Sequence, residues 1–288
     1  MTSRKTGLAP LPRPLVARAV AEALAEDLGL VGDVTTTATI AADVRAEAVI
    51  RTRRDGIVSG GDLAVEAFHA IDPSVSVRIE IADGGEASSG RTIARISGNA
   101  RAILSAERVA LNFMGRMSGI ATLTRRYVEL VAGTRASIVD TRKTTPGLRA
   151  FEKYAVRCGG GKNHRIGLFD AVLIKDNHIV AAGGVSKAID AARRHAGHLV
   201  KIEVEVDTLE QLAEALERPI DAVLLDNMTP ATLAKAVEMA RGRCLTEASG
   251  GVSLETVRVI AETGVDLISV GALTHSAPVL DLGLDFTS

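Results

Sequence analysis

Residues 201–251 read "KIEVEVDTLEQLAEALERPIDAVLLDNMTPATLAKAVEMARGRCLTEASGG". Three short runs rich in Val, Ile and Leu, "KIEVEVD", "DAVLLDN" and "CLTEASG", are separated by two stretches of helical pattern, 208–217 and 230–241. Strand and helix alternating roughly every 20–25 residues is the mark of βα units around a parallel sheet. Working outward, "SIVD" (137–140) and "AVLIKD" (171–176) precede this stretch and "DLISVG" (266–271) follows it, with further helical stretches at 185–196 and 253–263. Asp140, Lys175, Asp176, Glu205, Asp207, Asp226, Asn227, Glu247, Ser249 and Gly271 all fall at or just past the carboxyl ends of these runs. In a parallel α/β barrel those ends converge on one mouth. A doubly wound sheet gathers them only near a switch point. Six successive polar ends favour the barrel.

Within "KIEVEVD" the period of two puts Val204 and Val206 on one side and Glu203, Glu205 and Asp207 on the other. If the valines pack under helices, the acids point inward, where they need cations or a metal. Glu205 and Asp226 end neighbouring strands and can share one Mg²⁺, which one or two carboxylates plus substrate phosphates usually hold.

The cations are concentrated. Residues 140–178 hold eight Lys or Arg against four Asp or Glu, in a chain of net charge −1. A solvated basic helix face accounts for Arg149, Lys153 and Arg157, but not for Lys175, which closes an apolar run. Arginine forks suit planar carboxylates and lysine suits phosphate, so the segment "GGGKNHRIGLFDAVLIKDNH" (159–178) reads as part of an anion-binding wall. Two glycine loops add to it. "EASGGVSLET" sets Ser249, Gly250 and Gly251 ahead of a helix with Ser253 as its N-cap, and "SVGALTHS" repeats the plan around Gly271. Such loops form phosphate sites, often after a barrel's last two strands.

Ahead of the βα units, residues 1–14 read as a loose tail and "PLVARAVAEALAEDLG" as an amphipathic helix ending at Gly29. Alternating runs between Thr35 and Ser97, with a helix at 63–70, describe a small antiparallel α+β unit. Residues 101–131 are helical, with Gly115 and Gly119 weakening the middle.

Composition narrows the function. The near-neutral charge and the five Phe, two Tyr and no Trp argue against a nucleic-acid binder. No apolar run is long enough for a membrane span. Cys158 and Cys244 form no CxxC pair and read as inert small hydrophobes, so a reducing, cytoplasmic setting is expected. His69, His195 and His198 are not distinctive.

Together "GDVTT" (32–36), "ERVALNFMGRMSGIAT" (107–122), "DTRKTTPGLR" (140–149), "KYAVRCGGGKNHRIGL" (153–168), "IKDNH" (174–178), "EVEVD" (203–207), "LLDN" (224–227), "EASGG" (247–251) and "VGALTHS" (270–276) closely resemble the quinolinate phosphoribosyltransferases. That family is also called nicotinate-nucleotide pyrophosphorylase (carboxylating). The match runs from about residue 15 to the end. The resemblance implies an α/β protein with an open, incomplete parallel α/β barrel at 117–276. It also implies an N-terminal α/β sandwich domain at 1–116, completed by 277–288. It implies a homodimer or larger homo-oligomer with active sites near the subunit interface.

The implied reaction joins quinolinate to phosphoribosyl pyrophosphate, releasing pyrophosphate and CO₂ and leaving nicotinate mononucleotide for NAD synthesis. By the same resemblance Arg142, His164, Arg165 and Lys175 hold quinolinate, with Arg108 supplied by the neighbouring subunit. Lys143 faces the pyrophosphate, Glu205 and Asp226 serve Mg²⁺ and the ribose, and Ser249, Gly250, Gly271 and His275 cradle the 5′-phosphate. Catalysis falls to Lys143, Lys175, Glu205 and Asp226. Ala248 stands where the family often has a second serine. Two rivals remain. One is a same-fold enzyme of other ring specificity, nicotinate-type or linked to molybdenum transport, against which the dicarboxylate set argues. The other is a non-catalytic sugar-phosphate sensor, which would not need Lys143, Glu205 and Asp226.

Overall fold

The computed structural model describes residues 8–287, so the first half of the expected tail lies outside the described residues. In chain order the elements are α1 (Arg13–Leu28), α2 (Val34–Thr39), β1 (Arg45–Thr52), β2 (Gly56–Ile57), α3 (Gly61–Ile71), β3 (Ser76–Ile79), β4 (Glu86–Ala87), β5 (Thr92–Asn99) and α4 (Ala100–Leu130). They continue with β6 (Ser137–Val139), α5 (Arg149–Cys158), β7 (Val172–Ile174), α6 (Asp176–Ala182), α7 (Val185–His195), β8 (Ile202–Val206) and α8 (Leu209–Leu216). The last are β9 (Ala222–Asp226), α9 (Pro230–Ala240), β10 (Leu245–Ser249), α10 (Val257–Glu262), β11 (Leu267–Ser269), α11 (Ala272–His275) and β12 (Leu282–Thr287).

The chain forms two compact units. The first takes the described residues up to Arg125, Phe151–Gly160, and the chain from Ala277 on. The second takes Arg126–Ala150 and Gly161–Ser276. A division between 116 and 117 would fall inside α4, one continuous helix, and 151–160 groups with the first unit rather than the second.

In the first unit, β12, β1, β5 and β3 form an antiparallel sheet in that order. The chain's last residues thus complete a sheet begun near its start, with Glu47 opposite Thr287 and Thr52 opposite Leu282. Ile50, Ile93 and Ile96 are buried in this sheet, and Leu63 and Phe68 are buried on α3. On α1, the spacing of Val16, Val20 and Leu24 gives one buried stripe. Two readings change here. The run Val34–Thr39 is helical despite its β-branched residues, because Asp33 accepts the Thr36 N–H at 2.8 Å and caps it. The α5 helix is not a solvated basic face: Glu152 and Lys153 are buried, and Glu152 pairs with Arg116 at 2.6 Å. Arg157 stacks over Tyr154. Cys158 is buried beside Ser59, and burial pushes its thiol up to about 12.

The second unit is a six-stranded parallel sheet in the order β6-β11-β10-β9-β8-β7, with helices between its strands. It is open, since its outer strands β6 and β7 are not paired with one another. One half of the pleat carries Val204, Val206, Val223, Leu225, Ala248 and Ile268, all buried. Threonines cap two of the helices, Thr208 on α8 and Thr229 on α9. The helix expected from 253 begins only at Val257, and Ser253 closes a turn instead, its carbonyl accepting the Thr256 and Val257 N–H groups. No helix among the described residues is long and apolar enough to cross a membrane.

The α4 glycines, which lower helix propensity, are there for clearance. A Cβ on Gly119 would lie 2.0 Å from the Pro278 carbonyl oxygen, and one on Gly115 would lie 2.9 Å from Val279 Cγ1. The Leu280 N–H donates to the Gly115 carbonyl at 3.0 Å, so the segment entering β12 lies directly on this helix face. Alanine at 119 should gain up to about 1 kcal/mol of helix propensity yet lose about 1–3 kcal/mol to the clash. Gly119→Ala is therefore expected to lower Tm. A melt at or above the wild-type Tm would contradict this packing.

Candidate active site

The pleat of the parallel sheet decides what faces the mouth. Register pairs Glu205 with Leu224 and Leu224 with Glu247, while Ser249 sits opposite Asp226. These residues occupy the face opposite the buried valines. They line a cavity of about 400 Å³ together with Thr141, Arg142, Lys143, His164, Arg165, Leu173, Lys175 and Ser269. Arg142, Lys143, Lys175, Glu205, Asp226, His164, Arg165 and Ser249, all expected from sequence, are thus brought to one place.

The cationic wall comes from two loops. The first leaves β6 at Asp140 and carries Arg142 and Lys143; the Lys143 carbonyl accepts the Thr274 hydroxyl at 2.7 Å. The second follows Gly161 and is clipped to β6 by a lone parallel bridge between Val139 and Lys162. Buried Asp140 holds this second loop, accepting the His164 N–H at 2.9 Å and the Asn163 amide at 2.6 Å. Arg165 is anchored by one guanidinium N–H on the Ala171 carbonyl at 3.1 Å. Its Nε, and that of Arg142, are buried with no hydrogen-bond partner. Burial, then repulsion from Arg142, holds the Arg165 pKa below the usual guanidinium range. Two mutually repelling cations with idle donors are chemically suited to an anion. Lys175 leaves the end of β7 and pairs with Glu205 of neighbouring β8.

Opposite the wall lie the glycine loops. Gly250 has φ +90°, and a Cβ there would meet Asn227 Oδ1 at 2.1 Å, so only glycine fits. Asn227 itself has φ +53°, the one positive-φ non-glycine residue found among the described residues. Its N–H donates to the Ser249 carbonyl at 3.0 Å and its amide to Asp226 Oδ2 at 2.6 Å. It therefore ties the end of β9 to the loop after β10, a role that strand-end position alone does not reveal. A Cβ on Gly271 would lie 3.2 Å from His275 Nε2 and 3.3 Å from Lys143 Cδ, which places these three together. Arg108 sits exposed on α4 in the first unit, beside Glu107.

Below the wall lies a floor that sequence reading only partly anticipates. His164 Nε2 is 2.9 Å from Glu203 Oε2 and 3.7 Å from Glu247 Oε1. The donor atoms of these three residues lie within 4.8 Å of one another. They do not suit a metal ion. His164 Nδ1 accepts the Arg165 N–H at 2.7 Å, so the ring proton sits on Nε2, the atom a metal would need bare. Glu205 and Asp226 suit Mg²⁺ better. They are carboxylates on neighbouring strands that both line the cavity, and the bonds to Lys175 and Asn227 engage only Oε2 of Glu205 and Oδ2 of Asp226.

Comparison with known proteins agrees with this architecture. The model for the N-terminal domain of quinolinate phosphoribosyl transferase matches residues 33–118, and that for the C-terminal domain matches residues 120–285. A Bacillus subtilis (strain 168) protein described as a probable nicotinate-nucleotide pyrophosphorylase (carboxylating) is 45% identical over 262 residues, 91% of this chain and 90% of its own. A chloroplastic nicotinate-nucleotide pyrophosphorylase (carboxylating) of Arabidopsis thaliana is 48% identical over 280 residues, 91% of this chain and 80% of its own. The solved nicotinate-nucleotide pyrophosphorylase of Francisella tularensis superposes with a TM-score of 0.93 at 42% identity, over 96% of this chain and 98% of that one. With both domain models matched in order over residues 33–118 and 120–285, the chain belongs to the quinolinate phosphoribosyltransferase family.

Proposed function

We propose that this chain transfers the phosphoribosyl group of phosphoribosyl pyrophosphate to quinolinate, with loss of pyrophosphate and CO₂, yielding nicotinate mononucleotide. The unpartnered Nε–H groups of Arg142 and Arg165 carry this reading. Two guanidinium forks facing one cavity suit a ligand with two carboxylates, and Lys175 adds a third cation. Departure of pyrophosphate leaves positive charge on the ribose, which Glu205 and Asp226 favour, while Lys143 faces the leaving group. Ser249, Gly250, Gly271 and His275 are assigned to the 5′-phosphate, where bare backbone amides and an imidazole offer donors. Glu205 and Asp226 would also hold Mg²⁺, which when bound neutralises phosphate charge. His164, whose ring nitrogens meet Arg165 and Glu203, serves the quinolinate end by fixing the loop that carries Arg165. The working unit is a homodimer in which Arg108 of one subunit completes the other's quinolinate site.

Three measurements test these assignments. Quinolinate should be turned over and nicotinate should not, with kcat/KM lower by about 10²-fold or more, because a missing carboxylate leaves a buried cation unpaired. Comparable use of nicotinate would remove the dicarboxylate reading. Asn227→Gly keeps the left-handed backbone but drops the amide that orients Asp226. It should cut kcat/KM for phosphoribosyl pyrophosphate by about tenfold, with quinolinate affinity unchanged; wild-type kinetics would show that the clamp is idle. Arg108→Ala and Lys175→Ala should each be inactive alone. Randomly mixed simple dimers should recover roughly a quarter of wild-type activity, since half the sites in the mixed half carry neither lesion. Verified mixed dimers as inactive as their parents would rule out the shared site.

A further inference from the structure

Three carboxylates, Asp140, Glu203 and Glu247, lie buried under a cavity read above as a receptor for a dianion. Left fully ionised they would oppose the ligand they underlie. Asp140 is fully committed to the second loop. Glu203 takes the Nε2–H of His164, whose Nδ1 accepts the Arg165 N–H, so a single imidazole N–H serves this carboxylate pair. Glu247 is 1% exposed, has one oxygen with no hydrogen-bond partner, and lines the cavity. Two buried carboxylates converging on one N–H oppose each other's ionisation out of water. Burial first, and then Glu203, push Glu247 far above the usual carboxylate range. The groups facing it are Glu203 from β8, His164 and Asp140 from the loops beside β6, and Ser269 from β11. Leu224 separates it from Glu205 across the sheet.

We infer that Glu247 is the proton donor to the ring carbon from which CO₂ departs. This rests on the proposed reaction, which needs one proton on that carbon for each CO₂ lost. The C–C bond to the carboxylate breaks, and its electron pair stays on the ring carbon beside the cationic nitrogen. That pair takes the proton from Glu247, leaving a carboxylate that solvent reprotonates after product leaves. Other lining groups serve less well. Arg142 and Arg165 are too weakly acidic, the His164 N–H is turned to Glu203, and Lys175 is paired with Glu205. Glu247 instead is a carboxylic acid whose neutral form is favoured by burial beside Glu203, so that it can give up a proton.

The test separates pyrophosphate release from CO₂ release in Glu247→Gln, which keeps the side chain's shape and removes its acidic proton. CO₂ release should fall by about 10²-fold or more and lag behind pyrophosphate in the first turnover. Quinolinate affinity by calorimetry and Tm should stay near wild type. Glu247→Asp, which retains an acid one methylene away, should recover part of the CO₂ release. Wild-type CO₂ release in the Gln variant would overturn the inference. So would equal slowing of both products, or equal losses in the Gln and Asp variants. Wild-type protein run alongside separates the two readings: if it makes no nicotinate mononucleotide, the proposed function fails, whatever the variants do.

Discussion

Glu203, Glu205 and Glu247 point into the interior because their strand neighbours have to pack beneath helices. Val204, Val206 and Ala248 are buried on the outer face of the parallel sheet, and a period of two then leaves no other direction for the acids. Burying carboxylates without partners is expensive, so the inward acids dictate much of what surrounds them. Glu205 receives Lys175 from the next strand, Glu203 receives His164, and Asp140 gathers the backbone and side-chain donors of the loop that carries Arg165. The cationic wall is therefore held in place partly by the acids beneath it.

Not all the positive charge is spent in this way. Arg142 and Arg165 keep idle donors and repel one another, a cost that a bound anion would relieve. The loop that carries Arg142 is tied to α11, because the Thr274 hydroxyl donates to the Lys143 carbonyl. Asn227 makes the matching connection across β9 and β10, holding Asp226 with its side chain and Ser249 with its backbone. These hydrogen bonds fix Lys143 against α11 and Asp226 against the loop after β10. That fixed spacing is what a reaction between two separately bound substrates requires.

Much of this was legible in residues 201–251 alone. The alternation of "KIEVEVD", "DAVLLDN" and "CLTEASG" with helical stretches specified a parallel sheet, and period two assigned Glu203 and Glu205 to its interior, as found. What stayed hidden depended on contacts distant in sequence. The α5 helix looks solvated by composition, yet Lys153 is buried; its neighbour Glu152 is paired with Arg116 from α4. Gly115 and Gly119 look like helix weakeners until Pro278 and Val279 are laid against them. The run after Asp33 is β-branched in composition, yet it is helical because one capping carboxylate outweighs propensity there. The left-handed Asn227 and the tautomer of His164 are set by Ser249 and Arg165, and no local pattern announces either.

The central claim is that the inward acids and idle guanidinium groups together form a receptor for two adjacent carboxylates. A crystal structure of this protein with quinolinate bound tests it most directly. The account requires one carboxylate within hydrogen-bond distance of Arg142 Nε and the other within reach of Arg165 Nε, with Lys175 near one of them and the Lys162–Arg165 loop unmoved. Quinolinate bound instead at Gly250 and Gly271, with both arginines still unpartnered, would contradict it.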